Sequence, residues 1–171
     1  MIGNKTGRQL LIWGGLLFIL LFILWGYKQN WWRNDQMTET NDRQIEYSKQ
    51  EIDDKLNEIA YWGYRIFLAD VSGGSAKGET AYRFMNDKYE QIIVAELPDL
   101  ESGYYYEGWL IRPNPESYLS LGKLFKNVDG RYTLTINDTR NYSDFYKVSV
   151  TREPNDGNPE PAEYILSGSF K

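Results

Sequence analysis

Hydrophobic residues are distributed unevenly along the chain. The segment Leu10–Tyr27 contains no charged residue. As a helix, its 18 residues would span about 27 Å at about 1.5 Å per residue, close to the hydrocarbon thickness of a bilayer. Trp13 lies near one end and Trp25 and Tyr27 near the other, as is typical of membrane interfaces. Because no small-x-small cleavage site follows, the pattern predicts an uncleaved transmembrane helix anchored at Leu10, Trp13, Trp25 and Tyr27.

Residues 28–59 are mostly polar and carry both signs of charge. Within them Ile45, Ile52 and Ile59 recur every seven residues, with Leu56 on a neighbouring turn, and no Pro or Gly interrupts the pattern. This spacing predicts a short amphipathic helix in a juxtamembrane stalk.

We expect this helix to end near Glu58 and to be capped by Thr40 or Asn41. Two interpretations of its apolar stripe stay open. The stripe could pair two copies as a coiled coil and make the protein a homodimer. Alternatively, the helix packs on the following domain or lies along the membrane.

From residue 60 onward, short apolar runs are separated by turn residues. Strands are expected at 61–71, 79–85, 89–97, 104–112, 119–125, 131–136, 145–153 and 163–170. The run at 89–97 is apolar on both faces, which favours a central strand. Asn86-Asp87 and Asp129-Gly130 are typical of tight hairpin turns. The pattern predicts an all-β fold, a β-sandwich of about eight antiparallel strands.

The amino-acid composition excludes several classes of function. The chain has a net charge of -5 and contains no Cys and no His. The acidic balance and the absence of a basic stripe argue against nucleic-acid binding. The lack of His and Cys removes the commonest general base, the thiol nucleophile and the commonest zinc ligands. We therefore expect neither an enzyme nor a metal or cofactor.

Four segments then follow one another in a familiar order: 106–111, 121–125, 129–130 and 148–161. Together they resemble the C-terminal, extracytoplasmic domain of anti-sigma-K factors of the RskA type, over roughly residues 78–170. The resemblance implies an extracytoplasmic β domain. It implies structural roles for Tyr106, Trp109, Leu110, Ile111, Gly122, Phe125, Gly130, Glu153, Pro154, Gly157, Pro159 and Pro161.

The chain also departs from that family. Its members carry a cytoplasmic helical domain before the membrane helix, often with a His-and-Cys zinc motif, and that domain grips the sigma factor. Here nine residues precede Leu10, and His and Cys are absent. We therefore expect this chain to lack the sigma-binding zinc domain.

Three groups of residues are candidate sites. An aromatic group could stack on sugars, although Tyr105, Trp109 and Ile111 alternate as core residues do. The acids Glu96, Asp99 and Glu101 could form a glycosidase-like pair, although acids near strand ends are normally solvated. Asn155, Asp156 and Asn158 could bind Ca²⁺, although such residues usually form turns. The aromatic group comprises Tyr104, Tyr105, Tyr106, Trp109, Tyr118 and Phe125.

The predicted organisation is a cytoplasmic tail at 1–9, a transmembrane helix at 10–27, a stalk at 28–59 and the domain at 60–171. Flanking charges are nearly balanced, so the extracytoplasmic placement of the C-terminal domain rests on the family resemblance. The leading hypothesis is a single-pass, non-enzymatic sensing, binding or scaffolding protein of the cell envelope, with the bilayer and possible protein partners. Two alternatives stay open: a regulatory subunit acting through a separate sigma-binding protein, and an envelope glycan-binding protein.

Overall fold

The computed structural model describes residues 47–171, which form one helix and nine strands. Helix α1 is Lys49–Tyr61. The strands are β1 Tyr64–Asp70, β2 Lys77–Met85, β3 Lys88–Glu96, β4 Tyr104–Pro113, β5 Glu116–Lys123, β6 Phe125–Lys126, β7 Tyr132–Asp138, β8 Lys147–Pro154 and β9 Glu163–Ser169. The prediction of an all-β domain is confirmed, and each of the eight expected strands is present within a few residues of its predicted bounds.

The nine strands form a single antiparallel sheet in the order β5-β4-β8-β9-β1-β2-β3-β7-β6. Its two edge strands, β5 and β6, are separated in sequence by Leu124 alone. The Leu124 N–H donates to the Tyr106 carbonyl of β4 at 2.9 Å, while β6 pairs with β7. One bent segment therefore joins both edges, and the sheet is a nearly closed barrel.

The predicted β-sandwich is therefore wrong in its architecture, because a sandwich needs two separate sheets. Closure depends on local departures from regular pairing. The β4–β5 register shifts between Gly108 and Trp109, and the β8–β9 register shifts between Val150 and Thr151. Gly108 also permits close packing, because a Cβ there would lie 2.9 Å from Leu134 Cδ2.

The barrel interior and the surface beneath α1 form two apolar clusters. The alternation in β3 explains both, because Ile93 and Ala95 face the interior while Ile92 and Val94 face the helix. The prediction that this strand is apolar on both faces is confirmed. The Asn86-Asp87 hairpin is also confirmed, since both residues adopt positive φ, 53° and 57°. The interior cluster includes Leu68, Tyr89, Tyr106, Leu110, Leu134, Val148, Val150 and Leu166.

Helix α1 begins with a capping box. Ser48 is the N-cap, its hydroxyl accepts from the Glu51 N–H, and Glu51 accepts from the Ser48 N–H at 2.8 Å. The expected cap at Thr40 or Asn41 is therefore wrong for this helix. The helix ends at Tyr61, three residues beyond the expected Glu58.

The apolar stripe of α1 is buried within the domain itself. Ile52, Leu56 and Ile59 are 1%, 2% and 0% exposed and pack with Ala81, Ile92 and Val94. The interpretation that the helix packs on the following domain is confirmed. These three side chains are consequently not available as the seam of a coiled coil, and α1 belongs to the compact unit Gln44–Lys171.

Partly buried ion pairs stabilise the same contact. Arg83 of β2 donates to Glu58 of α1 at 2.6 Å and to Glu90 of β3 at 2.5 Å. Arg131, which precedes β7, donates to Asp53 of α1 at 2.8 Å. The helix is thus held at both ends by charged contacts to the strands.

The predicted anchor residues Leu10, Trp13, Trp25 and Tyr27 lie outside the described residues, as does Ile45. Within residues 47–171, no helix has the length and hydropathy required to span a bilayer.

Candidate functional site

The six aromatic residues considered as a sugar platform do not share one surface. Tyr105 and Trp109 point to the outer face of β4, whereas Tyr106 points into the barrel. Trp109 is 3% exposed, and its indole Nε1 donates to Thr151 Oγ1 at 2.7 Å. The guanidinium of Arg152 lies 3.8 Å from the ring centroid of the exposed Tyr104. The expected core face of Tyr105, Trp109 and Ile111 is therefore wrong in one respect, because the barrel interior holds Tyr106 and Leu110 while Trp109 and Ile111 are buried on the outer face.

The other motif residues lie on the same strands and their connections. Leu110 faces the interior and Ile111 the outer face, and both are buried. Gly122 lies opposite Gly108 in the β4–β5 ladder, and Phe125 opens β6. Gly130 has a φ of 87° in the turn before β7. The remaining motif residues lie on β8 and its connection to β9: Glu153, Pro154, Gly157, Pro159 and Pro161.

The connection 155–162 between β8 and β9 is organised by local hydrogen bonds. Asp156 Oδ1 accepts from the Asn158 N–H at 2.9 Å, and Asn158 Oδ1 accepts from the Glu160 N–H at 3.2 Å. These residues thus form Asx turns. At the base of the connection, Glu153 Oε1 accepts from the Ala162 N–H at 2.9 Å. Within the described residues, no group of three or more acidic side chains is placed to hold a metal ion.

A second carboxylate lies close to Glu153 on the outer face. Glu107 of β4 accepts a hydrogen bond from the Ser120 hydroxyl of β5. Burial raises the pKa of Glu107 above its ordinary value of 4.5; the Ser120 hydrogen bond opposes this rise, and the charge of Glu153 adds to it. Sequence reasoning missed Glu107, although an acid between Tyr105 and Trp109 on an otherwise apolar face was a usable signal.

The connections 71–76, 97–103, 127–131 and 155–162 all lie at one end of the barrel, which we call the loop end. Two adjoining hollows there, of about 550 and 230 Å³, share Ser75, Ala76 and Pro98. We call them together the loop-end groove. Lys49, Glu96, Asp129 and Arg131 line the larger hollow; Asp70, Asp99, Glu101, Arg152 and Glu163 line the smaller one.

The acids considered for glycoside hydrolysis line this groove but are engaged in ion pairs or exposed. Glu96 pairs with Lys77 at 3.0 Å, and Asp99 pairs with Lys126. The Lys126 hydrogen bond and charge lower the pKa of Asp99, so this side chain is a poor proton donor at neutral pH. Glu101 is exposed to solvent. The acids that line the groove therefore serve ion pairs or face solvent.

Asp70 shapes one wall of the groove. Its Oδ1 accepts backbone N–H groups from Ser72, Gly73 and Gly74 at 2.8, 2.9 and 3.1 Å, and its Oδ2 accepts from Ala76 at 2.7 Å. Partial burial alone would raise the pKa of Asp70, but the hydrogen bonds from Ala76, Ser72 and Gly74 outweigh it and lower the pKa below the ordinary 3.8.

Asp70→Asn should therefore loosen connection 71–76, because an amide offers one acceptor oxygen where the carboxylate offers two. We expect faster amide exchange at Gly73, Gly74 and Ala76. Since the pKa is lowered on folding, the stabilisation is present above the unfolded pKa and is lost as pH falls through the folded value, below 3.8. Asp144→Asn, at an exposed acid on the opposite end, is the control and should change none of these rates.

Comparison with known proteins gives one match. A family model described as the C-terminal part of anti-sigma-K factor rskA matches residues 16–165, most of the 171-residue chain. The matched range includes α1, all of β1 to β8 and every motif residue named above. No match was found among curated proteins or among solved structures.

Proposed function

Because the chain belongs to the anti-sigma-K factor RskA C-terminal family, we propose that it is a non-enzymatic binding and sensing module of the cell envelope. In this proposal, Leu10–Tyr27 anchors the chain in the membrane and the barrel lies outside the cytoplasm. The family match carries the proposal. It is supported by the apolar, uncharged character of Leu10–Tyr27 and by a domain whose acids serve structure.

The loop-end groove is the proposed binding surface. It is lined by residues of the connections 71–76, 97–103 and 127–131 and by strand ends beside them on a rigid barrel, an arrangement that commonly carries binding function. It also lies at the end of the barrel where α1 begins, since Lys49, the first residue of the helix, lines its larger hollow. A polar, mainly acidic lining favours a protein partner that presents basic and small polar groups.

Protease accessibility tests the topology. On spheroplasts of cells that express the full chain, added protease should digest the C-terminal domain while a cytoplasmic marker protein stays intact. A domain that is digested only after the spheroplasts are lysed would contradict the extracytoplasmic placement.

Site-specific photo-crosslinking tests the surface. A photoreactive phenylalanine derivative at Ser75, an exposed residue shared by both hollows, should crosslink a discrete partner in intact cells. The same derivative at the exposed Ser143, on the opposite end, is the matched control. Equal crosslinking at both positions, or none at Ser75, would contradict the proposed surface. A sigma-binding membrane protein as the partner would make the chain a regulatory subunit.

A further inference from the structure

Two acidic side chains lie together on the outer face of β4 and β8. In the β4–β8 ladder, Tyr105 lies opposite Glu153 and Glu107 opposite Thr151. Glu107 and Glu153 are therefore diagonal neighbours on one face, and long side chains in that relation can interact. Glu153 is 2% exposed. Within the described residues, no cation lies within ion-pair distance of either carboxylate.

Each carboxylate is held by a neutral donor instead. Glu153 accepts from the Ala162 N–H at 2.9 Å, which fastens the far side of connection 155–162 to β8. Glu107 accepts from the Ser120 hydroxyl. Two like charges in a partly desolvated setting repel each other.

The surrounding titratable groups do not neutralise the pair. From β5, the charge of Lys123 lowers the pKa of Glu107, but less than burial and Glu153 raise it; the ammonium lies over the Tyr105 ring, 4.0 Å from the centroid. Burial, together with the charges of Glu107, Glu153 and Asp156, raises the pKa of Tyr105 of β4 to about 12. Burial, together with the charges of Glu116 and Glu153, also raises the pKa of Tyr164 of β9. Apart from Lys123, these neighbours are acidic or neutral.

Connection 155–162 leads directly to the loop-end groove. Its flanking residues Arg152 and Glu163 line the smaller hollow and pair with each other at 3.2 Å. The Glu153–Ala162 hydrogen bond lies between these two strand ends on the outer face. Loosening that bond therefore changes the wall of the groove.

We propose that Glu107 and Glu153 form a proton-operated latch that regulates the loop-end groove through connection 155–162. The latch rests on the proposed function in one respect, since that function assigns binding to the groove. When Glu107 is neutral, Glu153 has no like charge beside it and holds the Ala162 N–H firmly. When both are charged, their repulsion weakens this bond and releases the connection. The groove wall is thus fastened in acid and loosened as pH rises.

Hydrogen exchange of the Ala162 backbone amide, measured in the full chain as a function of pH, tests the latch. The protection factor, which corrects for the intrinsic pH dependence of exchange, should fall about fivefold as pH rises through the titration of Glu107. That change corresponds to about 1 kcal/mol, since a tenfold change corresponds to about 1.4 kcal/mol. In Glu107→Gln the protection should stay high and independent of pH. Glu160→Gln, at an exposed acid within the same connection, is the control and should keep the wild-type profile.

A Glu107→Gln profile that follows the wild type would overturn the latch, as would a wild-type profile without pH dependence. Glu153→Gln gives a second test, because its amide oxygen still accepts the Ala162 N–H while the charge is gone. It should also remove the pH dependence, and a retained dependence would overturn the proposal. The readout needs no partner and no membrane, so it can fail while the topology and crosslinking tests succeed, or the reverse.

Discussion

Replacing Trp109 with alanine should lower the free energy of unfolding by about 3–5 kcal/mol, the range typical of buried aromatic truncations. The indole is 3% exposed, and its Nε1 donates to Thr151 Oγ1 at 2.7 Å. The change removes a large packed ring and leaves the fully buried Thr151 hydroxyl without this donor. Urea unfolding of the full chain, followed by far-UV circular dichroism, measures the effect without depending on tryptophan fluorescence.

Two further variants separate packing from hydrogen bonding at this position. Trp109→Phe keeps an aromatic ring but loses the donor, so we expect a smaller loss of about 1–2 kcal/mol. Trp62→Ala removes the same type of side chain where it is 64% exposed, and should stay within about 0.5 kcal/mol of the wild type. Equal effects for Trp109→Ala and Trp62→Ala would show that Trp109 is not part of the packed outer face.

The strands could be predicted from local pattern because each one is bounded by turn chemistry. Asn86-Asp87 marks the β2–β3 hairpin, and Asp129-Gly130 marks the turn into β7. Closure of the sheet could not be predicted in this way. Closure depends on Leu124, because the segment that contains it pairs with β4 before this residue and with β7 after it. The alternation of apolar and polar residues does not mark such a change of partner strand.

The start of α1 was predictable in principle. Ser48 and Glu51 have the spacing of a capping box, and this signal is more specific than a lone Thr40 or Asn41. The seven-residue spacing of the isoleucines does not distinguish a coiled coil from a helix on a sheet, because both bury one stripe. The two cases differ in the surface on which the stripe packs. Here that surface includes Ala81 of β2 and Ile92 of β3, which lie later in the chain.

The candidate site was predictable only in part. The motif that contains Glu153 and Gly157 can be recognised in the sequence. Its neighbour Glu107 cannot be assigned to it in this way, because the two are brought together only by the register of β4 and β8. The loop-end groove joins three connections and the ends of β8 and β9, which are far apart along the chain, so its lining depends on the long-range pairing of the sheet. Long-range pairing of this kind is the information that local periodicity lacks.

Ile59→Ala should lower the free energy of unfolding by about 2–5 kcal/mol, as expected for a fully buried aliphatic side chain. Ile59 is 0% exposed and packs with Ala81 and Ile92 beneath the helix. The structure makes α1 part of the domain, so its loss should destabilise the strands as well as the helix. Urea unfolding should therefore remain a single transition with a lower midpoint, followed by circular dichroism in the strand region.

Asp54→Ala provides the matched control on the same helix. Asp54 is exposed and accepts only from Gln50 at 3.1 Å, so its replacement should change stability by less than about 0.5 kcal/mol. A solvent-exposed stalk would show small effects for both variants, and a coiled coil would make the Ile59→Ala effect depend on protein concentration. A helix docked on its own barrel is distinguished from both alternatives by two results. Ile59→Ala should lower the free energy of unfolding strongly and independently of protein concentration, and Asp54→Ala should leave it nearly unchanged.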